Sequence, residues 1–222
     1  MSSQITLGLK TRGGDCEPPL RDGRYATLET IVRAYKARFS GRSKEELSSF
    51  ASESRIDAIR RAGLAQRPDG KRYNHQRRIP ADALQESAKY LMRGKLDRAR
   101  TFDELHEMVE RTIGSISGIG HLTVYDTALR IAASLSLAPT RVYLHTGTRA
   151  GARHLGLNWR ADSLEMSAVP SAFRVLEPRE VEDVLCIFED KFKRLQDWRS
   201  KRLRPTAREP SLESFKERAR RG

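Results

Sequence analysis

The side chains whose types and spacing could do chemistry fall into four groups. Gly118, Ile119 and Gly120 stand between two apolar-periodic segments and are followed by His121 and Thr123. Two glycines one residue apart let a backbone turn sharply and aim the N–H groups of a helix start at an anion, for which a nucleic-acid phosphate is well suited. Ile119 between them would point inward and pin the turn. The alternative is a tight turn between helices with no ligand. The second group is His145, Thr146 and Thr148 followed by Arg149 and Arg153, either a phosphate-facing helix start or an ordinary N-cap with solvated arginines. The third is the segment between Pro68 and Pro80, where Lys71, Arg72, Arg77 and Arg78 are interleaved with Tyr73 and His75. Its content fits backbone binding, and also a plain solvated loop. The fourth is Asp126, spaced i, i+4 from Arg130 and expected to pair with it, or to be a buried structural acid.

Ile116, Gly118, Ile119, Gly120 and Val124 fill the places of an apolar residue, a G-h-G turn and a β-branched residue early in the next helix. This pattern resembles the helix-hairpin-helix motif, and the resemblance implies binding of a DNA phosphate by hairpin amides without sequence readout. A weaker, wider resemblance over residues 102–157 is to the helix-hairpin-helix DNA glycosylase superfamily. Pro139, Val142, His145, Arg149 and the Leu155-Gly156-Leu157 close follow its order. Tyr143 stands where that family's catalytic Asp would lie, and Leu122 or Thr123 where its bifunctional members carry a nucleophilic Lys. The nearby carboxylates, Asp126 and Asp162, are elsewhere. The resemblance therefore implies the hairpin and a helical fold, and leaves the activity open.

The five histidines, His75, His106, His121, His145 and His154, show no metal-ligand spacing such as HExxH. Neither a GxSxG, a Walker-type loop, a GxGxxG nor a kinase signature is present. No metal and no cofactor is expected. Cys16 and Cys186 have no CxxC spacing and read as free thiols.

These residues need helices to position them. Thr27 is placed to cap a helix carrying Leu28, Ile31, Val32, Tyr35 and Phe39 at helical spacing. Ser43 with Glu46 has capping-box spacing and predicts a second helix opening there. A short helix around 55–62 ends at Gly63. Pro80 suits the first turn of a helix that Gly94 stops, and Thr101 with Glu104 predicts another capping box. The last and longest helix opens at Pro178, with Val181, Val184, Leu185, Phe188, Phe192 and Leu195 at three- and four-residue intervals, and ends at Pro205. The β-like stretch at 141–145 reads as a short extended link.

The chain has 222 residues, 38% hydrophobic and 32% charged, with 42 Lys and Arg against 29 Asp and Glu, a net +13. Such an excess points to polyanionic partners. It is uneven: residues 191–222 hold twelve basic and four acidic side chains. No stretch has the roughly 18 uncharged apolar residues of a bilayer helix and no signal-peptide run opens the chain, so a cytoplasmic protein is expected. The sequence thus predicts a mostly α, compact multi-helix domain at 25–204 built around a helix-hairpin-helix at about 105–137. An irregular arm at 1–24 precedes it and a basic tail at 205–222 follows. The expected activity is DNA binding without sequence specificity, with RNA as a second polyanion, through Gly118, Ile119, Gly120, His121, Thr123, Arg149, Arg153, Lys71, Arg72, Arg77 and Arg78. The alternatives are a divergent glycosylase-like or nuclease-like enzyme, or a helical subunit of a larger complex using the 178–198 stripe and Trp198 as its interface.

Overall fold

Helical periodicity governs nearly all of the described chain. The computed structural model describes residues 27–202, with side chains as far as Leu195; the arm at 1–24 and the tail at 205–222 lie outside them. The protein is mostly α, with a single two-stranded antiparallel sheet among the described residues.

Helix α1, Leu28–Arg38, is capped by Thr27 as its sequence predicts. Helix α2, Ser40–Ala51, opens three residues before the predicted cap, directly after Phe39. Ser43 is therefore inside the helix, and its hydroxyl accepts a bond from Arg179 at 2.9 Å instead of capping. Helix α3, Arg55–Gly63, and helix α4, Ala81–Arg93, flank the basic segment, and Pro80 is the residue just before α4. Helix α5, Phe102–Ile113, is capped by Thr101, but Glu104 reaches back to the Arg100 N–H and not to the cap. Helix α6, His121–Ser134, follows the glycine turn.

The extended link is a real strand: β1, Arg141–Tyr143, pairs antiparallel with β2, Ser163–Glu165. Helix α7, Thr146–His154, lies between them in sequence. The predicted long C-terminal helix is broken at Phe188 into α8, Pro178–Ile187, and α9, Glu189–Arg202. The break lets Val184, Phe188 and Phe192 all enter one core, where each is fully buried. Val181, Val184, Leu185, Phe188 and Phe192 of the expected docking stripe thus belong to the protein's own interior. Trp198's side chain lies outside the description.

Two apolar cores result. The first is built from α2 to α6, with α6 in its middle against α2, α3 and α5. The second is built from α1, the sheet, α7, α8 and α9. The chain thus begins in the second core, runs through the first and returns. Polar and aromatic contacts join them: Ser40 and Lys44 of α2 reach Glu180 of α8 at 2.6 and 3.8 Å, and Tyr143 donates its hydroxyl to Asp103 of α5 at 2.6 Å while its ring packs on Phe102.

Helices α7 and α8 meet through glycine. A Cβ on Gly151 would stand 2.1 Å from the Leu185 carbonyl oxygen, a backbone atom that cannot rotate away. Gly151→Ala is expected to lower unfolding free energy by about 1–3 kcal/mol or more. Gly41→Ala, where an added Cβ meets nothing within 4 Å, is neutral or better. Denaturant melts of the two variants check this; equal stability would mean that α7 does not sit so close to α8.

Candidate nucleic-acid interface

The turn joining α5 to α6 is held from inside by Ile116 and Ile119, both buried in the first core. Gly118 has φ +91°, a left-handed conformation that side chains resist, and a Cβ there would also stand 3.1 Å from Pro80 Cδ. Gly120 is different. It is the N-cap of α6 in extended backbone, φ −104°, and a Cβ there would meet nothing within 4 Å. The sequence treats both glycines as sterically required, whereas only Gly118 is. Because glycine supplies no side-chain cap, the first-turn N–H groups of α6 at His121, Leu122 and Thr123 have no capping side chain.

The contact of Gly118 with Pro80 brings the basic loop to the turn, since Arg77 and Arg78 precede Pro80 by three and two residues. Both are exposed, and neither has an ion-pair partner among the described residues. The remaining basic residues of the loop differ. Arg72 donates to the Ile79 carbonyl at 2.8 Å and shapes the loop, and Lys71 lies exposed at the far turn. His75 bonds Asp126 of α6, 2.6 Å from Nε2 to Oδ2. Arg130 lies over the Tyr73 ring at 3.8 Å and bonds Glu46 and Gln76. The predicted Asp126–Arg130 pair therefore does not form; both side chains turn away from their own helix to anchor the loop. Burial works against charge on both members of the His75–Asp126 pair, but their mutual attraction outweighs it, raising His75 and lowering Asp126 from their ordinary values.

The other predicted residues are placed elsewhere. His121 is 85% exposed, with Glu110 at 3.7 Å. Thr123 is 7% exposed and faces the core. Arg149 donates to the Trp159 carbonyl and to Asp162, both at 3.0 Å, while Arg153 is exposed. His145 is buried; it caps α7, with its N–H bonded to Thr148 Oγ1 at 2.7 Å, and its Nε2 meets Glu182 of α8.

His121 and Arg149 share a cleft of about 430 Å³. Its aromatic wall is Tyr143 against His106, centroids 4.6 Å apart, with Tyr125 behind at 5.6 Å. The Tyr125 hydroxyl is buried without a hydrogen-bond partner. Asp103, Glu107, Glu110 and Asp162 outnumber Arg141 and Arg149 around the cleft. The turn thus has a basic neighbour at Gly118 and an acidic one at His121. Asp126 does not line this cleft, whereas His145 and Arg149 do.

No local pattern marks Glu182, Asp183 and the groups that bond them. Asp183 accepts from Tyr35 at 2.7 Å, across 148 residues, and no spacing rule reaches that far. Among the described residues no group of three or more His, Cys, Asp or Glu is placed to hold a metal ion, and no helix is long and apolar enough to cross a membrane. No family model matches the chain, and comparison with curated proteins and with solved structures finds no match.

Burial pushes the Asp183 carboxyl up to about 7, and the neighbouring Glu182 charge adds to the rise. A carboxyl raised in the folded state holds its proton there more tightly than in the unfolded chain. It therefore favours folding at low pH, and this stabilisation is lost as pH rises from about 4 toward 7. Asp183→Asn keeps an acceptor for Tyr35 and removes the titration. Its melting temperature is expected to exceed the parent's at pH 8 and to converge with it near pH 4; a constant difference across pH would show that Asp183 titrates normally.

Proposed function

We propose that the chain binds the DNA phosphate backbone, without reading sequence, at the α5–α6 turn, in the manner the helix-hairpin-helix resemblance implies. One observation supports the reading: Pro80, which closely follows the exposed Arg77 and Arg78 in the basic loop, stands close to Gly118 in the turn that opens α6. Uncapped N–H groups at a helix start favour an anion, and two cations beside them neutralise neighbouring phosphates. Arg149 contributes less, because its guanidinium is already held by Asp162. The net charge of +13 supplies long-range attraction of the same sign.

A second reading attaches to the aromatic cleft beside the turn. Its unpartnered Tyr125 hydroxyl and its carboxylates suit a divergent glycosylase-like reaction, in which Asp103 would supply the negative charge from α5, since Tyr143 fills the expected Asp position and bonds to it. Scoring strand change on base-damaged duplexes alongside retention separates this reading from simple binding.

For simple binding, the affinity for unrelated duplexes is expected to be alike and to fall linearly in log–log form with salt. The double variant Arg77→Ala/Arg78→Ala should melt like the parent, bind more weakly at low salt and lose about 1.8 units of that slope, at roughly 0.9 per phosphate contact. An unchanged slope and affinity would place the binding surface elsewhere.

A further inference from the structure

On the side of the basic loop facing α2 lies a second cleft, of about 380 Å³, a size that suits a small organic ligand. Two successive residues of its lining, Tyr73 and Asn74, each carry a buried polar atom without a hydrogen-bond partner. Tyr73 is 8% exposed, its ring is fixed under the Arg130 guanidinium, and its hydroxyl has no hydrogen-bond partner. Glu46 lies close to that hydroxyl, and burial together with this carboxylate pushes the phenol up to about 12, so the hydroxyl keeps its proton and is a donor. Beside it, Asn74 Oδ1 is a buried acceptor, equally without a partner. Buried polar groups are seldom left unpaired in folded proteins, and two of them on residues that line one cleft suggest a ligand there.

The walls restrict its chemistry. His75 lines the cleft with Nε2 committed to Asp126, which leaves Nδ1 and a ring face for a ligand. Arg42 and Arg67 stand at the rim; Arg67 has Asp69 at 3.6 Å, and Arg42 has no ion-pair partner among the described residues. The Glu46 carboxylate is neutralised by Arg130 at 2.8 Å, so Arg42 and Arg67 face only the exposed Glu45 as an unneutralised carboxylate of the lining. A donor and an acceptor on successive residues of one cleft suit the edge of a nucleobase, which carries an acceptor next to an N–H. The imidazole offers a flat surface to the ring, and the guanidinium groups match phosphate.

We infer that this cleft binds one nucleoside phosphate, with the base edge on Tyr73 and Asn74 and the phosphate on Arg42 and Arg67. The same chemistry is offered by a free mononucleotide and by an unpaired nucleotide of a strand. The inference does not rest on the binding of duplex at the α5–α6 turn, because it uses none of those residues.

The full chain is titrated by calorimetry with the four common nucleoside monophosphates, their nucleosides, inorganic phosphate and a single-stranded tetranucleotide. At least one monophosphate or the tetranucleotide is expected to saturate the protein, at least tenfold tighter than the nucleoside or inorganic phosphate. A tetranucleotide that binds more tightly than any monophosphate assigns the cleft to a strand; the reverse assigns it to a free nucleotide. Tyr73→Phe and Arg42→Ala should each weaken that binding fivefold or more with no loss of melting temperature, since the lost hydroxyl has no partner and Arg42 is exposed. Retained duplex binding in both variants would separate this site from the turn. Saturation by none of the probes, equal binding of inorganic phosphate, or binding indifferent to both substitutions would overturn the inference.

Discussion

Helix α8 buries Arg179, Glu180 and Glu182 along with its apolar face, and that burial constrains the rest of the molecule. Charged side chains leave water only when partners replace it. The partners come from elements far apart in sequence: Ser40, Ser43 and Lys44 of α2 for Glu180 and Arg179, and His145 at the start of α7 for Glu182. Asp183 adds a bond to Tyr35 of α1. A polar seam of this kind fixes how the two apolar cores meet, since a shift that kept the apolar contacts would strand several charges. Removing one member of such a pair is costlier than the pair itself is stabilising.

The candidate interface depends on a similar arrangement within the first core. The basic loop has little apolar mass beyond Tyr73 and Ile79, yet it is anchored to α6 by His75–Asp126 and by the bond from Arg130 to Gln76, while Arg130 also holds Glu46 of α2. Pro80 then meets Gly118. The polar groups of α6 therefore set where Arg77 and Arg78 stand relative to the turn, while the apolar residues Ile116 and Ile119 set the turn itself. Loop, turn and helix start form one unit, with α6 common to all three.

Much of the helical framework was legible in the sequence, because apolar period and capping residues are local. Thr27, Gly63, Gly94 and Thr101 mark real helix ends. The misplacements have physical causes. Ser43 reads as a cap, but α2 follows α1 almost without interruption, and the hydroxyl serves Arg179 instead. The 178–204 stripe reads as one helix because the period persists through Phe188, where the backbone breaks without proline or glycine. Asp126 was read against its helical neighbour Arg130, since i, i+4 spacing is all a sequence offers; its actual partner is 51 residues away. The residues of the glycine turn and the basic loop were visible individually. Their adjacency was not, because it rests on a single contact between Pro80 and Gly118.

The central claim is that phosphate approaches the backbone at the start of α6, and Gly120 offers the most direct test. Its φ of −104° and the open space around it admit a methyl group without strain, so Gly120→Ala leaves the fold intact at a cost of at most about 1 kcal/mol in capping. The same methyl would stand where the phosphate must come close. Duplex affinity of this variant at fixed low salt, measured beside its melting temperature, is predicted to fall about tenfold, equivalent to about 1.4 kcal/mol, with melting close to the parent's. A folded Gly120→Ala variant that binds duplex as tightly as the parent would contradict the account and leave the turn a purely structural joint between α5 and α6.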